Sequence, residues 1–301
     1  MDVVITIKDF KKQLKARGYA ENTIRWYSSY LDMFMQYLFK RNINDLRSVT
    51  KQIINDYHER VMSEPIAMES KATRIRPVKR LFEYLADSHK LLINPIEGIV
   101  ETSRKNRKPG TVLTLDEMKR LLKQPNMSLN TGIRDRAVME VMYSTGIRIN
   151  ELECLEVYHV DINDNALYIR KGKGKKQRVV PIGKKVALYL KEYLVNIRPH
   201  YAVKNPKERS LFLTHSGRPL TGNNIRVFLR KYRIQAGIKK RVSPHTFRRT
   251  CATHLLQQGV DIRYIQELLG HKSLKTTQVY TKVMPVDIKE THDKTHPDLD
   301  T

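Results

Sequence analysis

The chain has 301 residues, 40% of them hydrophobic, and its 56 Lys and Arg against 31 Asp and Glu give a formal net charge of +25. That length exceeds one ordinary domain and is ample for a buried core, so two domains are expected. So large a positive excess points to a polyanionic partner, because cations that neutralise nucleic-acid phosphates release condensed counterions. An anionic membrane surface would attract the same charge, but no run approaches the roughly 18 apolar residues of a spanning helix, and MDVVITIKDFKK has no signal-peptide core. The expected location is the cytoplasm, on the nucleoid, with no membrane partner.

Residues 1–100 read as a helical domain. Ile7, Phe10 and Leu14 recur at helical spacing until Gly18 stops the run, and Asn22 is the expected cap of a second helix. Ile24, Tyr27, Leu31, Phe34, Met35 and Leu38 form the apolar face of that helix, and further helices are expected over 51–62 and 67–86. Pro77 removes an interior hydrogen bond from the last, which predicts a kink or restart near Arg76 before VKRLFEYL. Residues 101–113, with four basic side chains and Pro109-Gly110 but no apolar period, read as a linker that is either solvated or tracks a DNA backbone.

Thr114 and Glu117 form a capping box that opens a second domain over 114–284. A helix over 133–143 leads into a turn at Thr145-Gly146, and another helix begins near Asn150. NALYIRKGKGKKQRVVPIG then alternates on both sides of a glycine-rich turn, the mark of a β-hairpin. Helices are expected over 184–197, 221–236, 244–258, 261–269 and 274–283, before a tail over 285–301 that is more acidic than the body. The fold class is mainly α: two domains, the second with one small sheet. Cys154 and Cys251 have neither disulfide nor zinc spacing, and Cys251 shares an apolar helical stripe with Phe247 and Leu255, as a core residue would.

A site that transfers phosphoryl groups must neutralise charge on nonbridging oxygens, activate a nucleophile and protonate a leaving oxygen. Arginine suits the first task, and Arg148 and Arg248 both stand beside turns or helix starts, although either alone reads more readily as a surface or interface arginine. In SPHTFRRT, Ser243 is the expected N-cap and Pro244 the first helical residue, placing His245 and Arg248 three apart on one face of a first turn that attracts anions. Lys173 tips the hairpin and could protonate a leaving oxygen. By spacing alone Lys171 competes for that role, and Arg170, Lys175, Lys176 and Arg178 make the hairpin readable as a plain DNA-tracking element. Gly270 ends a helix just before His271, and Tyr280 follows as one of 15 tyrosines, distinguished by its company rather than its type. Glu151, three residues after Arg148, either orients that arginine or a nearby lysine through an ion pair or simply opens a helix. His215 and His254 are read as ordinary.

TGIRINEL, GKGKKQRVVPIG, PHTFRRTCATHLL and LGHKSLKTTQVYTKV, in that order and spacing, resemble the boxes of the tyrosine recombinases, the family of phage integrases and Xer proteins. The N-terminal helical domain and linker resemble the family's core-binding part less specifically. The resemblance implies a two-domain clamp on double-stranded DNA that assembles as a tetramer on two sites. It implies Tyr280 as nucleophile forming a 3′-phosphotyrosyl bond, and Arg148 and Arg248 stabilising the pentavalent phosphate. Lys173 would protonate the 5′ oxygen, His245 would act as acid or base, and His271 would hydrogen-bond the phosphate. The tail would dock on a neighbouring protomer. No cofactor and no metal are implied, and the sequence has no GxxxxGK[ST] or HExxH motif. A type IB topoisomerase would use the same chemistry, and a noncatalytic DNA-binding protein would share only the charge.

Overall fold

The computed structural model describes residues 1–98, 110–169 and 178–270. The linker over 99–109, the hairpin turn with Lys171 and Lys173, His271, the expected helix with Tyr280, and the tail over 285–301 lie outside the described residues. The chain divides into two units, Met1–Arg107 and Lys108–Thr301.

In the first unit, α1 (Val3–Ala16), α2 (Glu21–Phe39), α3 (Lys51–Ser63) and α4 (Met68–Asp87) enclose one core. Asp2 caps α1 by accepting from the Ile5 N–H at 2.8 Å. Asn22 does not cap α2: the N-cap position is Ala20, which offers no side-chain acceptor, and Glu21 supplies first-turn negative charge instead. The apolar face does the larger share, with Tyr27, Leu31, Phe34 and Leu38 buried. Phe34 lies edge-on to Tyr57 of α3 at 4.8 Å and to Phe82 of α4 at 6.1 Å between ring centroids. α4 runs through Pro77 without restarting. The missing bond and ring clash cost about 3 kcal/mol, but Ile75, Val78, Leu81, Phe82 and Leu85 are buried on both sides of the proline, each contributing about 1.5–3 kcal/mol by burial.

The second unit opens with α5 (Leu115–Leu122), whose capping box is complete: the Thr114 N–H donates to Glu117 at 2.8 Å and the Glu117 N–H to the Thr114 hydroxyl at 3.1 Å. α6 (Asn130–Thr145) is buried almost all round, which is why its sequence lacks a clean polar face. Its charges are paired internally, Arg134 with Asp135 and Arg136 with Glu140, each at 2.7 Å. Gly146, at φ 56°, ends α6 in the left-handed region that glycine favours, and α7 (Ile149–Glu153) follows.

β1 (Val160–Asp161), β2 (Ala166–Ile169) and β3 (Arg178–Pro181) form an antiparallel sheet in the order β1-β2-β3. Sequence alternation reveals the β2–β3 hairpin, paired Ala166 to Pro181 and Ile169 to Arg178, but β1 has two residues and cannot show a period. The helix expected over 184–197 is α8 (Lys184–Glu192), a π-helical turn over Tyr193–Ile197 and then α9 (Arg198–Ala202). Tyr193 is wholly buried there, and its hydroxyl accepts from the Leu213 N–H at 2.9 Å. α10 (Gly222–Gln235), α11 (Pro244–Gln257) and α12 (Ile262–Leu269) complete the unit, with α11 against both α6 and α12.

The segment before α5 is moored along α11. The Leu113 N–H donates to the Thr250 hydroxyl at 3.1 Å, and the Leu113 carbonyl accepts from His254 Nε2 at 3.0 Å. Since a carbonyl only accepts, the proton is on Nε2, leaving Nδ1 to accept from the Tyr143 hydroxyl at 2.8 Å. Burial lowers the His254 pKa despite the Leu113 hydrogen bond, in keeping with that neutral tautomer.

Candidate active site

Three local devices bring the arginines together. Gly146 reverses the chain so that Arg148 becomes the N-cap residue of α7, and Glu151 in the first turn reaches back to accept from the Arg148 N–H at 3.0 Å. Ser243 caps α11, accepting from the Thr246 N–H at 3.3 Å, with Pro244 at the first helical position, which fixes His245 and Arg248 within the first turns. Gly270, at φ 62°, ends α12 and leaves its last carbonyls unpaired within the helix.

Those carbonyls collect the guanidiniums. Arg248 Nη2 donates to the Leu269 carbonyl at 2.7 Å and its Nη1 to the Gly146 carbonyl at 2.6 Å, with the side chain buried. Arg148 Nη1 donates to the same Leu269 carbonyl at 3.2 Å and Nη2 to the Gly270 carbonyl at 3.0 Å. The negative end of the α12 dipole thus faces two arginines from segments about a hundred residues apart in sequence. Arg148 is 31% exposed, the more accessible of the two, and retains donors beyond these bonds among the described residues.

His245 stands at the exposed edge of this cluster. Desolvation, followed by the positive charges of Arg249, Arg248, Arg226 and Arg148, lowers its pKa from the usual imidazole value and favours the neutral ring. Three positions apart on α11, His245 and Arg248 lie at different depths, Arg248 buried and His245 exposed. Lys173, His271 and Tyr280 lie outside the described residues. His271 follows directly on the Gly270 that Arg148 holds.

Glu151 both opens a helix and orients an arginine. Its carboxylate is 3% exposed and accepts from Arg148 Nη1 at 3.0 Å and, bidentately, from Arg178 at 3.1 and 2.8 Å. Burial would raise its pKa, but the Arg178 hydrogen bonds, then those from Arg148, outweigh it and hold the group ionised. Arg178 is thereby moved from the DNA-tracking set to the interior of the site. One signal was present: Arg178 shares a strand face with the fully buried Val180, and a cation on an inward face needs an anion.

Beside the site, Arg226, Arg230 and Arg233 of α10 join Lys239, Arg241, Val242 and Ser243 around a cleft of about 360 Å³ with no carboxylate in its lining. Cys251 is buried and its thiol is pushed up to about 12, chiefly by desolvation, so it belongs to the core as its stripe indicates. Among the described residues no group of three or more His, Cys, Asp or Glu is placed to hold a metal ion, and no helix is long and apolar enough to cross a membrane.

Comparison with known proteins places the chain in a family. The profile of the phage integrase family matches residues 111–285, and that of the phage integrase N-terminal SAM-like domain matches residues 7–89. Tyrosine recombinase XerD of Staphylococcus haemolyticus is 34% identical over 281 residues, covering 93% of this chain and 94% of that protein. Tyrosine recombinase XerC 2 of Ralstonia nicotianae is 32% identical over 290 residues, covering 94% of this chain and 83% of its own length. A crystal structure of XerH site-specific recombinase bound to palindromic difH substrate, a post-cleavage complex, superimposes with a TM-score of 0.73 at 24% identity over 96% of this chain and 82% of that one, a likeness of fold. From the family matches and this degree of identity along nearly its whole length, the chain belongs to the phage integrase family, the tyrosine recombinases.

Proposed function

We propose that this tyrosine recombinase cuts and rejoins strands of double-stranded DNA at specific sites through a covalent 3′-phosphotyrosyl intermediate, using neither metal nor nucleotide. The observation that carries the reading is the convergence of Arg148 and Arg248 on the last carbonyls of α12, from which the chain runs on to His271 and Tyr280, with His245 kept neutral by desolvation and by the charges of these and neighbouring arginines.

In the first step the Tyr280 hydroxyl oxygen attacks the scissile phosphorus and the bond to the 5′ oxygen breaks. His245, neutral before the reaction, accepts the tyrosyl proton, and Lys173 gives a proton to the departing 5′ oxygen. Arg148 and Arg248 offset charge on the nonbridging oxygens of the pentavalent phosphate, and His271 donates a hydrogen bond to it. Their guanidiniums are already held by backbone carbonyls, so little reorganisation accompanies the charge build-up. The phosphotyrosine ester keeps the energy of the broken phosphodiester, so a 5′-hydroxyl from the same or another strand reverses the step.

The cationic cleft along α10 supports DNA as substrate, because it abuts the site through Arg226, whose charge is felt at His245. Two clamping domains and a tetramer on two DNA sites complete the reading, with the 285–301 tail docking on a neighbouring protomer.

A duplex nicked near the cleavage position tests the proposal, since loss of a short fragment leaves the covalent intermediate no 5′-hydroxyl to rejoin. The wild type should trap, while Tyr280→Phe should bind without trapping; no adduct from the wild type on its own site refutes the reading. Lys173→Ala should cleave slowly and recover on a 5′-bridging phosphorothiolate, whose leaving group needs no proton. Recovery by a Lys171 variant instead would reassign the acid. Pairing of two duplexes by the protein separates a recombinase from a topoisomerase.

A further inference from the structure

We propose that Arg178 is a positioning residue of this reaction: by taking the Glu151 carboxylate into a bidentate pair, it leaves the Arg148 guanidinium aimed at, and positively charged toward, the scissile phosphate. The inference rests on the phosphoryl-transfer reading above.

Glu151 has more claimants than a single ion pair. Its Oε1 accepts from Arg178 Nη1 at 3.1 Å and Arg148 Nη1 at 3.0 Å, and its Oε2 accepts from Arg178 Nη2 at 2.8 Å and the Arg148 backbone N–H at 3.0 Å. The parallel two-bond geometry that binds guanidinium to carboxylate most strongly is occupied by Arg178, and Arg148 contributes one guanidinium N–H. Two guanidiniums and one carboxylate leave a net positive charge in the trio. Arg148 is 31% exposed against 15% for Arg178 and 3% for Glu151, so that charge is presented where a phosphate can reach it.

Without Arg178, the buried Glu151 would keep Arg148 as its guanidinium partner and draw it into the two-bond pair. Arg148 would then be quenched and turned from the phosphate. The fit of Arg178 is specific to its fork. Its Nε donates to the Leu268 carbonyl at 3.1 Å, one residue before the carbonyls held by Arg148, so both arginines stand on consecutive carbonyls at the end of α12. A side chain at Gly270 would place its Cβ 3.0 Å from Arg178 Nη1, so this glycine supplies room for the guanidinium as well as the left-handed turn. Lysine offers a point charge without the planar fork and cannot reproduce these three bonds.

The test compares single-turnover cleavage of a nicked duplex bearing an ordinary scissile phosphodiester with the same duplex bearing a methylphosphonate there. Methylphosphonate carries no negative nonbridging oxygen, so the need for a cation beside it falls. On the phosphodiester, Arg178→Ala should be slower than wild type by about 100-fold, the scale of one lost stabilising donor. On the methylphosphonate, the two proteins should agree within about tenfold. Arg178→Lys should fall between them on the phosphodiester and match wild type on the methylphosphonate, and it carries the test if thermal melting shows the alanine variant unfolded. An equal deficit on both substrates would make Arg178 structural only, and a wild-type rate on the phosphodiester would deny it any role. Either result overturns the proposal. Failure of the wild type to form an adduct on the phosphodiester would instead refute the underlying phosphotyrosyl reading.

Discussion

Arg148, Arg248 and His245 could be singled out from sequence by the set and order of the motifs that carry them, and each also stands beside a local conformational signal. Gly146 marks the reversal before Arg148, and Ser243-Pro244 marks the helix start before His245 and Arg248. Arg178 could not be placed in the same way, because its partner Glu151 lies 27 positions away and is brought near only by folding of the sheet against α7. The dual role of Glu151 was half-legible: three-residue spacing shows the pairing with Arg148, but nothing local shows the second guanidinium. The neutral state of His245 is likewise tertiary, produced by desolvation and four arginines from three segments. A nuclear magnetic resonance titration of the DNA-free protein should find the His245 midpoint below the ordinary value of about 6.5. Arg226→Ala should raise it by removing one of the repelling charges, and a midpoint at or above the ordinary value in the wild type would contradict the neutral ring.

Helix ends carried by caps were readable at the scale of elements, as Thr114 with Glu117 and Gly270 show. Elements governed by packing were not. The π-helical turn at Tyr193–Ile197 and the continuous α4 through Pro77 follow from what the core accepts, and β1 is too short to announce itself. The mooring of residues 110–113 on α11 is a further tertiary feature, and it fixes a buried polar pair that can be broken singly. Thr250→Val keeps the volume but leaves the Leu113 N–H without its acceptor. Denaturant unfolding should show a loss of about 1–3 kcal/mol, and an unchanged midpoint would mean that this bond contributes nothing. His254 adds a pH dependence to the same mooring. Its folded pKa is lowered, so the folded protein binds fewer protons than the unfolded chain between that value and the ordinary one. Stability held above pH about 6.5 should therefore decline as the pH falls toward the lowered value. His254→Gln should lessen that decline in melting temperature.

At the scale of the whole molecule, the net charge of +25 finds a local expression in the cationic cleft of α10. Binding to a cognate duplex should weaken steeply with salt, with a linear dependence of log affinity on log salt concentration. Replacing Arg226, Arg230 and Arg233 together by alanine should reduce that slope by about 0.9 for each phosphate no longer neutralised, measured by fluorescence anisotropy. An unchanged slope would place the DNA elsewhere. The chemistry proposed for the bound duplex depends on Tyr280, whose assignment comes from motif order and from its place in the chain soon after Gly270. Peptide mapping of the covalent adduct formed on a nicked duplex in excess chelator tests it most directly. DNA attached through its 3′ phosphate should be found on the tryptic peptide TTQVYTK, at Tyr280; an adduct on another residue, or one that forms only when a divalent cation is restored, would contradict it.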